Sequence, residues 1–255
     1  MAQLSVVIIT FNEEKNIGRC LESVKAVADE IIVVDSLSTD KTKEIALSHG
    51  AVVIEQSFLG YIEQKNFALS KANNPYVLSL DADEALSEEL SGSIVEEKSK
   101  NFPEDAYAMN RLPYYCGKWV RHGTYYPDRK IRLVNKQKAK WGGVNPHDKI
   151  ILEKGSALQN LKGDLLHYIY QSFEDHVNKT NKFSSIAAMA LYKAGKKSSY
   201  FKLIVNPAWA FFHCYFIRLG FLDGFTGFMI ARMVAMNTFL KYSKLIRLYK
   251  AEKKS

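Results

Sequence analysis

The most constraining feature of this sequence is the rhythm of apolar runs and amphipathic segments in its first hundred residues. Four runs rich in β-branched residues do not alternate polar with apolar positions: LSVVII at 4–9, EIIVVD at 30–35, AVVIE at 51–55 and YVLSLD at 76–81. Strands of this kind are buried on both faces, as in a parallel sheet covered by helices. The segments between them, at about 14–26, 38–49 and 60–72, have a helical pattern. The sequence therefore predicts an α/β fold with a mostly parallel, Rossmann-like sheet and helices on both faces.

The rhythm ends after one more predicted helix at about 87–100. Residues 105–168 contain short strand-like pieces, DAYAMN, KIRLVN and KIILE, separated by glycine, proline and aromatic residues, which predicts mixed sheet and loops. A helical pattern returns at about 172–194. We therefore expect two regions, 1–192 and 193–255, with the first divided into halves 1–100 and 101–192.

Composition excludes several classes of protein. With 47% hydrophobic and 24% charged residues, the chain can bury a core and is not a disordered protein. Its three cysteines, Cys20, Cys116 and Cys214, show no CxxC spacing, so neither a disulfide scaffold nor a cysteine-based zinc site is indicated. The N-terminal residues lack the pattern of a secretory signal. We expect a protein of the reducing cytoplasm.

The C-terminal region is strongly basic. Residues 193–255 contain 12 Lys and Arg against two acids, Asp223 and Glu252. The longest uncharged run there, Leu203–Ile217, has 15 residues, fewer than the roughly 20 that a membrane-spanning helix needs. Basic residues among Phe, Leu and Met are typical of helices that lie in a membrane interface. An anionic membrane surface is the predicted partner, and a packed helical subdomain or dimer face is the alternative; nucleic acid is not expected.

Polar residues follow the predicted strands where each one ends. They are Thr10 and Asn12, then Asp35, then Glu55, then Asp81 and Asp83. The carboxyl ends of parallel strands form the ligand crevice of such a sheet. Asp81 and Asp83 can hold Mg²⁺ or Mn²⁺ that also binds the phosphates of a nucleotide. The alternative is that both only cap the next helix.

Other nucleotide-binding motifs are missing from the sequence. Neither GxGxxG nor GxxxxGK[ST] occurs, which removes the usual support for dinucleotide-dependent redox chemistry and for a P-loop. The Asp35 carboxylate can accept the N3 proton of a uracil, or it can simply form a turn. Ser38 and Asp40 are expected to cap the helix that follows.

Several motifs, in this order and spacing, resemble the nucleotide-sugar domain of family 2 glycosyltransferases, which have the GT-A fold. They are TFNEEKNI at 10–17, VVDSLSTDKT at 33–42, GYIEQKNFAL at 60–69 and SLDADE at 79–84. Three later segments look like the bacterial lipopolysaccharide-core β-1,4-glucosyltransferase group: WGGVNPHDKI at 141–150, GDLLHY at 163–168 and RLGFLDGFTGF at 218–228. The usual His-Glu of that group appears here as His147-Asp148, which keeps the carboxylate but shortens its reach.

The resemblance implies roles for particular residues. Thr10, Asn12 and Glu14 line the nucleotide site, Asp35 contacts the uracil, Lys65 approaches the nucleotide, Asp81 contacts ribose or sugar, Asp83 binds the metal, Asp148 is the general base, and His147 and His167 contact acceptor or phosphate. Read without the resemblance, Lys65 is a residue of a solvated helix face. In the same way, His147-Asp148 is then a turn with two solvated side chains.

The expected activity is the transfer of a sugar from a UDP-sugar to a lipopolysaccharide-core or other glycolipid acceptor, with inversion at the anomeric carbon. The expected sugar is glucose. The expected cofactor is a divalent metal, Mg²⁺ or Mn²⁺, and the expected location is peripheral, on the inner face of the bacterial cytoplasmic membrane. Two other classes remain open at this stage. One is a nucleotidyltransferase that makes nucleotide sugars, and the other is a non-catalytic membrane-surface binding protein. The oligomeric state is not predicted.

Overall fold

The computed structural model describes residues 2–144 and 147–252, and the side chains of Val144 and His147 lie outside that description. The strands are β1 (Leu4–Thr10), β2 (Glu30–Asp35), β3 (Val52–Glu55), β4 (Tyr76–Asp81), β5 (Glu84–Leu86), β6 (Ala106–Tyr115), β7 (Lys118–Trp119), β8 (Arg129–Asn135), β9 (Ala139–Val144), β10 (His147–Leu152) and β11 (Leu158–Tyr170). The helices are α1 (Ile17–Val24), α2 (Thr42–Ser48), α3 (Tyr61–Lys71), α4 (Glu88–Ser99), α5 (Phe173–Lys193), α6 (Tyr200–Phe212) and α7 (Gly224–Glu252).

Within the described residues, nine strands form one sheet in the order β3-β2-β1-β4-β8-β6-β11-β5, with β7 paired to β6. The strands β3, β2, β1 and β4 are parallel, and β8 joins β4 in the antiparallel direction. The register pairs Thr10 with Asp35 and Ile9 with Asp81. The carboxyl ends of β1, β2 and β4 therefore lie side by side at one edge, as the sequence predicts.

Helices cover both faces of the parallel strands because these strands are apolar on both faces. On one face, Leu4, Val6 and Ile8 of β1 pack in a core with residues of α1, α2 and α4. On the other face, Val7 and Ile9 pack in a second core with α3 and with the hairpin formed by β9 and β10. The predicted α/β fold, with helices on both faces and a helical C-terminal region, is confirmed.

The chain forms two compact units. Unit 1 comprises residues 1–112 and 128–168, and unit 2 comprises residues 113–127 and 169–255. These two units are defined by which residues pack together. The predicted boundary between residues 192 and 193 is based on the charge of the sequence instead, and it stays a prediction.

Unit 2 is mainly helical. Its core is formed by Tyr115, Val120, Tyr170, Cys214, Ile230 and Ala231. After α6 the chain makes a π-helical turn, His213–Ile217, and a 3₁₀ turn, Gly220–Asp223, before α7 begins. Among the described residues, no helix taken alone has the length and hydropathy of a membrane span. The two helical segments Tyr200–Ile217 and Gly220–Glu252, which are bent by 72° at a short break, have that length and composition only when they are counted together.

Candidate active site

The loops after β1 and β2 are tied together at the carboxyl edge of the sheet. The fully buried carboxylate of Asp35 accepts hydrogen bonds from the Ser38 backbone N–H, at 2.8 Å, and from the Ser38 hydroxyl, at 2.5 Å. The same hydroxyl accepts a hydrogen bond from the Asn12 N–H, at 2.8 Å. Ser38 therefore joins these loops and does not cap α2, which begins four residues later at Thr42. The prediction that Ser38 is a helix cap is wrong.

Three further nucleotide-site candidates lie at the end of β1 and on the loop that follows it. Asn12 has a left-handed backbone, with φ 54°, and its side-chain oxygen accepts a hydrogen bond from the Thr39 N–H at 2.8 Å. The Glu14 carboxylate accepts one from the Lys41 N–H at 3.2 Å. The Thr10 hydroxyl is buried at the end of β1 and has no hydrogen-bond partner within the described residues. Because an unpaired buried hydroxyl is costly, this atom suits contact with a ligand.

Asp81 and Asp83 do not cap a helix. The residue that caps α4 is Ser87, whose hydroxyl accepts a hydrogen bond from the Leu90 N–H at 3.2 Å. The short strand β5 separates the two aspartates from that helix. The capping alternative is therefore wrong, and another account is needed for two carboxylates at this edge.

The ammonium of Lys65 lies between two carboxylates. Its Nζ is 3.0 Å from Asp81 Oδ1 and 2.8 Å from Asp148 Oδ2. The Lys65 side chain is 5% exposed and that of Asp148 is 12% exposed. Neither is a solvated surface group, so the surface alternative is wrong for Lys65 and for Asp148. The structure brings Lys65, Asp81 and Asp148 together, and the role predicted for each of them stays a prediction.

A buried arginine accompanies this cluster. Arg132 of β8 lies 3.2 Å from Asp81 Oδ2 and 2.7 Å from Glu84 Oε1. Glu84 is buried and also accepts a hydrogen bond from the Asp81 N–H at 3.1 Å. Two buried charges of opposite sign in this geometry stabilise each other, and removing one leaves the other uncompensated.

Electrostatics set the charge state of Asp81. Burial alone raises the pKa of its carboxyl group, because the charged form loses solvation. The positive charges of Lys65 and Arg132 outweigh burial and lower the pKa of Asp81 well below its ordinary value. Asp81 is therefore a carboxylate at neutral pH.

Asp83 is paired with a histidine. Nε2 of His167, on β11, lies 3.3 Å from Asp83 Oδ2. His167 is held there because it pairs with Glu84 across β11 and β5. Burial raises the pKa of Asp83, but the interaction with His167 outweighs burial and lowers the pKa from its usual value. A carboxylate oxygen and an imidazole nitrogen thus face each other beside Asp81.

The hairpin that holds Asp148 is attached to α3. The Asn66 amide donates a hydrogen bond to the Trp141 carbonyl oxygen and accepts one from the Trp141 N–H, both at 2.9 Å. The Trp141 ring is buried and lies 4.4 Å from the Lys65 ammonium. Asp148 pairs with Gly143 across the hairpin. The side chain of His147 lies outside the described residues, and its predicted role stays a prediction.

The donor set suits a divalent cation, although it is incomplete. Asp83 and His167 offer one oxygen and one nitrogen within 3.3 Å of each other. Among the described residues, no group of three or more His, Cys, Asp or Glu is placed to hold a metal ion. Asp83 and His167 are thus the described residues that would hold a cation here, and carboxylate oxygens are ligands that Mg²⁺ and Mn²⁺ commonly use.

Sequence reasoning missed three residues of this site: Asn66, Trp141 and Arg132. Asn66 lies one position after Lys65 on α3, within the motif GYIEQKNFAL, and the sequence gives it no role of its own. Arg132 carries a usable signal, because it is a charged residue between Ile131 and Leu133 in an apolar run, and buried charges are seldom found without partners.

The fold and this site define a glycosyltransferase of the GT-A class. The chain belongs to glycosyltransferase family 2, since the family model described as "Glycosyl transferase family 2" matches residues 5–195. The two other classes that the sequence leaves open, a nucleotidyltransferase and a non-catalytic binding protein, are thereby set aside.

Two relatives in sequence agree with this assignment. An "uncharacterized glycosyltransferase" of Rickettsia typhi is 40% identical, over 96% of this chain and 87% of its own. The lipopolysaccharide core biosynthesis glycosyltransferase LpsC of Rhizobium meliloti is 30% identical, over 95% of this chain and 91% of its own. Among solved structures, TarS of S. aureus has a TM-score of 0.49 and 17% identity, covering 94% of this chain and 55% of that one.

Proposed function

We propose that this glycosyltransferase moves a sugar, with glucose expected, from a UDP-sugar to a lipopolysaccharide-core or related glycolipid acceptor, with inversion at the anomeric carbon. The observation that carries the proposal is the Lys65 ammonium bound to both Asp81 and Asp148. Through this shared contact, the Asp148 carboxylate of the β9–β10 hairpin lies beside Asp81, in the acidic loop that follows β4. The similarity to LpsC supports the class of acceptor.

The donor is proposed to bind at the loops after β1 and β2. Thr10, Asn12 and Glu14 line the nucleotide, and the Thr10 hydroxyl, buried without a protein partner in the described residues, is a ready contact for it. Asp35 contacts the uracil through lone pairs that Ser38 leaves unused, because a carboxylate has about four acceptor positions. Asp81, kept anionic by Lys65 and Arg132, accepts hydrogen bonds from the hydroxyls of the ribose or the sugar.

The metal is proposed to be Mg²⁺ or Mn²⁺, held by Asp83 with His167 beside it. When bound, the cation neutralises the charge that develops on the departing diphosphate. His167 orients the Asp83 carboxylate through their 3.3 Å contact, and it would contact a phosphate of the donor or the acceptor. Asp83 would thus supply the anionic ligand of the cation.

Asp148 is proposed as the general base. Its carboxylate takes the proton of the acceptor hydroxyl while the oxygen of that hydroxyl forms a bond to the anomeric carbon. The bond from that carbon to the diphosphate breaks in the same step, and UDP leaves with the electron pair. Attack opposite the leaving group inverts the configuration, so an α-linked donor gives a β-glycoside. Lys65 and the Trp141–Asn66 attachment hold Asp148 in position.

The proposed site of action is the cytoplasmic face of the bacterial inner membrane, with the protein bound peripherally. The basic residues of the region 193–255 support this location, because each Lys or Arg near an anionic leaflet contributes about 1 kcal/mol of attraction.

The test is transfer of labelled glucose from UDP-glucose to purified lipopolysaccharide with a truncated core. We expect label in the glycolipid with wild-type protein and with Glu153→Gln, an exposed acid of the loop after β10. Asp148→Asn should reduce transfer by about 100-fold or more, with little change in KM for the donor. Near wild-type turnover by Asp148→Asn contradicts the assigned base. Transfer only from other nucleotide sugars contradicts the assigned donor.

A further inference from the structure

Helix α6 presents an apolar surface where a water-exposed helix normally carries polar residues. None of its 13 residues is buried in the described structure. Its outward face consists of Phe201, Ile204, Val205, Trp209 and Phe212. Phe201 is 73% exposed, Ile204 72% and Trp209 59%. The opposite face packs on α7, where the rings of Phe211 and Phe228 lie 5.9 Å apart. A surface helix normally turns its polar face to water, whereas α6 turns an apolar face outward.

The exposed apolar surface continues through the turns into α7. Leu219, Phe221, Leu222 and Phe225 are all exposed, the last by 76%. We call the outward face of α6 together with these four residues the apolar wedge. A contiguous exposed surface of this kind indicates a binding face.

The charges within this part of the chain already have partners in unit 2. Between residues 203 and 231 the sequence has two charged residues other than histidine, Arg218 and Asp223. The buried Asp223 carboxylate accepts a hydrogen bond from the His122 N–H at 2.9 Å and lies 3.1 Å from Nδ1 of that histidine. Arg218 Nε donates to the Gly123 carbonyl oxygen at 3.3 Å. Moving the wedge out of water therefore leaves no buried carboxylate unpaired there.

Basic residues border the wedge. Lys196, Lys197 and Lys202 are exposed around the start of α6. Arg247 and Lys250 are exposed near the end of α7, and Lys250 Nζ lies 2.8 Å from the Tyr200 hydroxyl. Both ends of the α6–α7 hairpin therefore meet in one basic cluster. A helix with a continuous apolar face and flanking Lys and Arg is suited to the boundary between headgroups and acyl chains.

We propose that the apolar wedge is inserted into one leaflet of an anionic bilayer, and that this insertion, more than charge attraction, holds the protein on the membrane. This inference rests on the proposed membrane association. It adds which surface of the protein contacts the bilayer, and that burial of apolar side chains provides most of the binding. Tyr200 and Trp209 have the amphipathic rings that are enriched at membrane interfaces.

A bilayer fits this face better than a second copy of the chain. In a two-fold dimer the same patch meets itself. The one acid between residues 203 and 231 is Asp223, which is buried and already paired with His122, so Lys196, Lys197 and Lys202 would find no free carboxylate in the wedge of a second copy. Anionic headgroups instead pair with the basic border while the acyl chains receive the apolar side chains.

The test is flotation of the full-length protein with vesicles of phosphatidylcholine alone and of phosphatidylcholine with phosphatidylglycerol. We expect binding to both, tighter to the anionic vesicles, with most protein retained in high salt. The double variant Ile204→Ser with Trp209→Ser should lose at least about tenfold in partitioning to both vesicles. Leu47→Ser, an equally exposed apolar residue of α2 at 61%, is the matched control and should float like wild type. Lys196→Gln with Lys197→Gln should weaken binding to anionic vesicles only.

Depth is measured by quenching of tryptophan fluorescence with brominated lipids. We expect the brominated lipids to quench the fluorescence of Trp209 in the wild type. Trp209→Phe should show no quenching, because Trp119 and Trp141, which lie outside the wedge, are then the tryptophans that remain. Binding that needs anionic lipid and is released by salt overturns insertion but leaves membrane association standing. Wild-type protein that binds no vesicle overturns both. A vesicle-free dimer that the double variant dissociates shows that a second copy covers the wedge, which also overturns the inference.

Discussion

The Lys65 ammonium lies 2.8 Å from the Asp148 carboxylate, although 83 residues separate them in the sequence. One residue is on α3 and the other is on the hairpin strand β10. Because Lys65 also contacts Asp81, a single buried positive charge links the proposed base to the acidic loop after β4.

Replacing Lys65 with Gln should therefore impair turnover more than donor binding. Without the ammonium, the carboxylates of Asp81 and Asp148 lose their shared partner, and Asp148 is no longer held in place. A displacement of about 1 Å at a catalytic group can cost about 100-fold in rate, and we expect kcat to fall by about that factor. Steady-state kinetics at varied donor concentration measure this, with Lys71→Gln on the exposed side of the same helix as control. An unchanged kcat with a raised KM contradicts a role in positioning the base.

Replacing Arg132 with Gln should destabilise unit 1. Glu84 is buried and loses its 2.7 Å partner, so that Arg111, at 3.4 Å, is the cation that remains beside it. Removing one partner of a buried ion pair costs about 3–5 kcal/mol, and we expect the lower end of this range because Arg111 stays. Arg129→Gln changes an exposed arginine of the same strand and should have little effect. Urea unfolding of both variants measures the difference. Equal stability of the two variants contradicts the importance of the buried pair.

The stability of unit 2 should depend on pH through His176. Burial lowers the pKa of this histidine from 6.5 to about 4, and its ring contacts the hydroxyls of Tyr115 and Tyr125. The unfolded chain binds the proton more readily, so stability is full above pH 6.5 and is lost as the pH falls towards about 4. The shift corresponds to about 3 kcal/mol. His176→Gln should lose this part of the pH dependence in unfolding measurements between those two pH values; the same slope as wild type contradicts the assignment.

Alanine substitutions at two glycines, one packed against α4 and one within it, should change the stability of unit 1 in opposite directions. Gly163 has φ +87°, and an added Cβ would lie 2.3 Å from the Leu90 backbone nitrogen. Gly163→Ala should therefore destabilise unit 1 and shift β11 against α4. Gly92 lies within α4 with nothing within 4 Å of an added Cβ, so Gly92→Ala should stabilise by about 0.5–1 kcal/mol. Thermal unfolding compares them, and a shift of the same sign in both variants contradicts the packing described.

The edge of the parallel sheet could be predicted from the sequence, whereas the contacts across the site could not. Local strand and helix patterns determine which end of each strand carries Asp35 and Asp81, so the sequence predicts that both lie at one edge. The Lys65–Asp148 contact depends on how the β9–β10 hairpin docks on α3 through Asn66 and Trp141, which no local pattern encodes. The neighbours of Ser38 along the chain suggest a helix cap, whereas its partner Asn12 lies 26 residues away.

The most direct test of the proposed donor site is calorimetric titration of UDP into the wild-type protein and Asp83→Ala, with and without Mn²⁺. We expect the wild type to bind UDP in preference to GDP, ADP and CMP, and Mn²⁺ to strengthen binding. Asp83→Ala should lose the effect of Mn²⁺, whereas Glu153→Ala, which replaces an exposed acid, should keep it. Equal binding of UDP by wild type and Asp83→Ala in the presence of Mn²⁺, or no binding of UDP by the wild type, would contradict the proposed donor site.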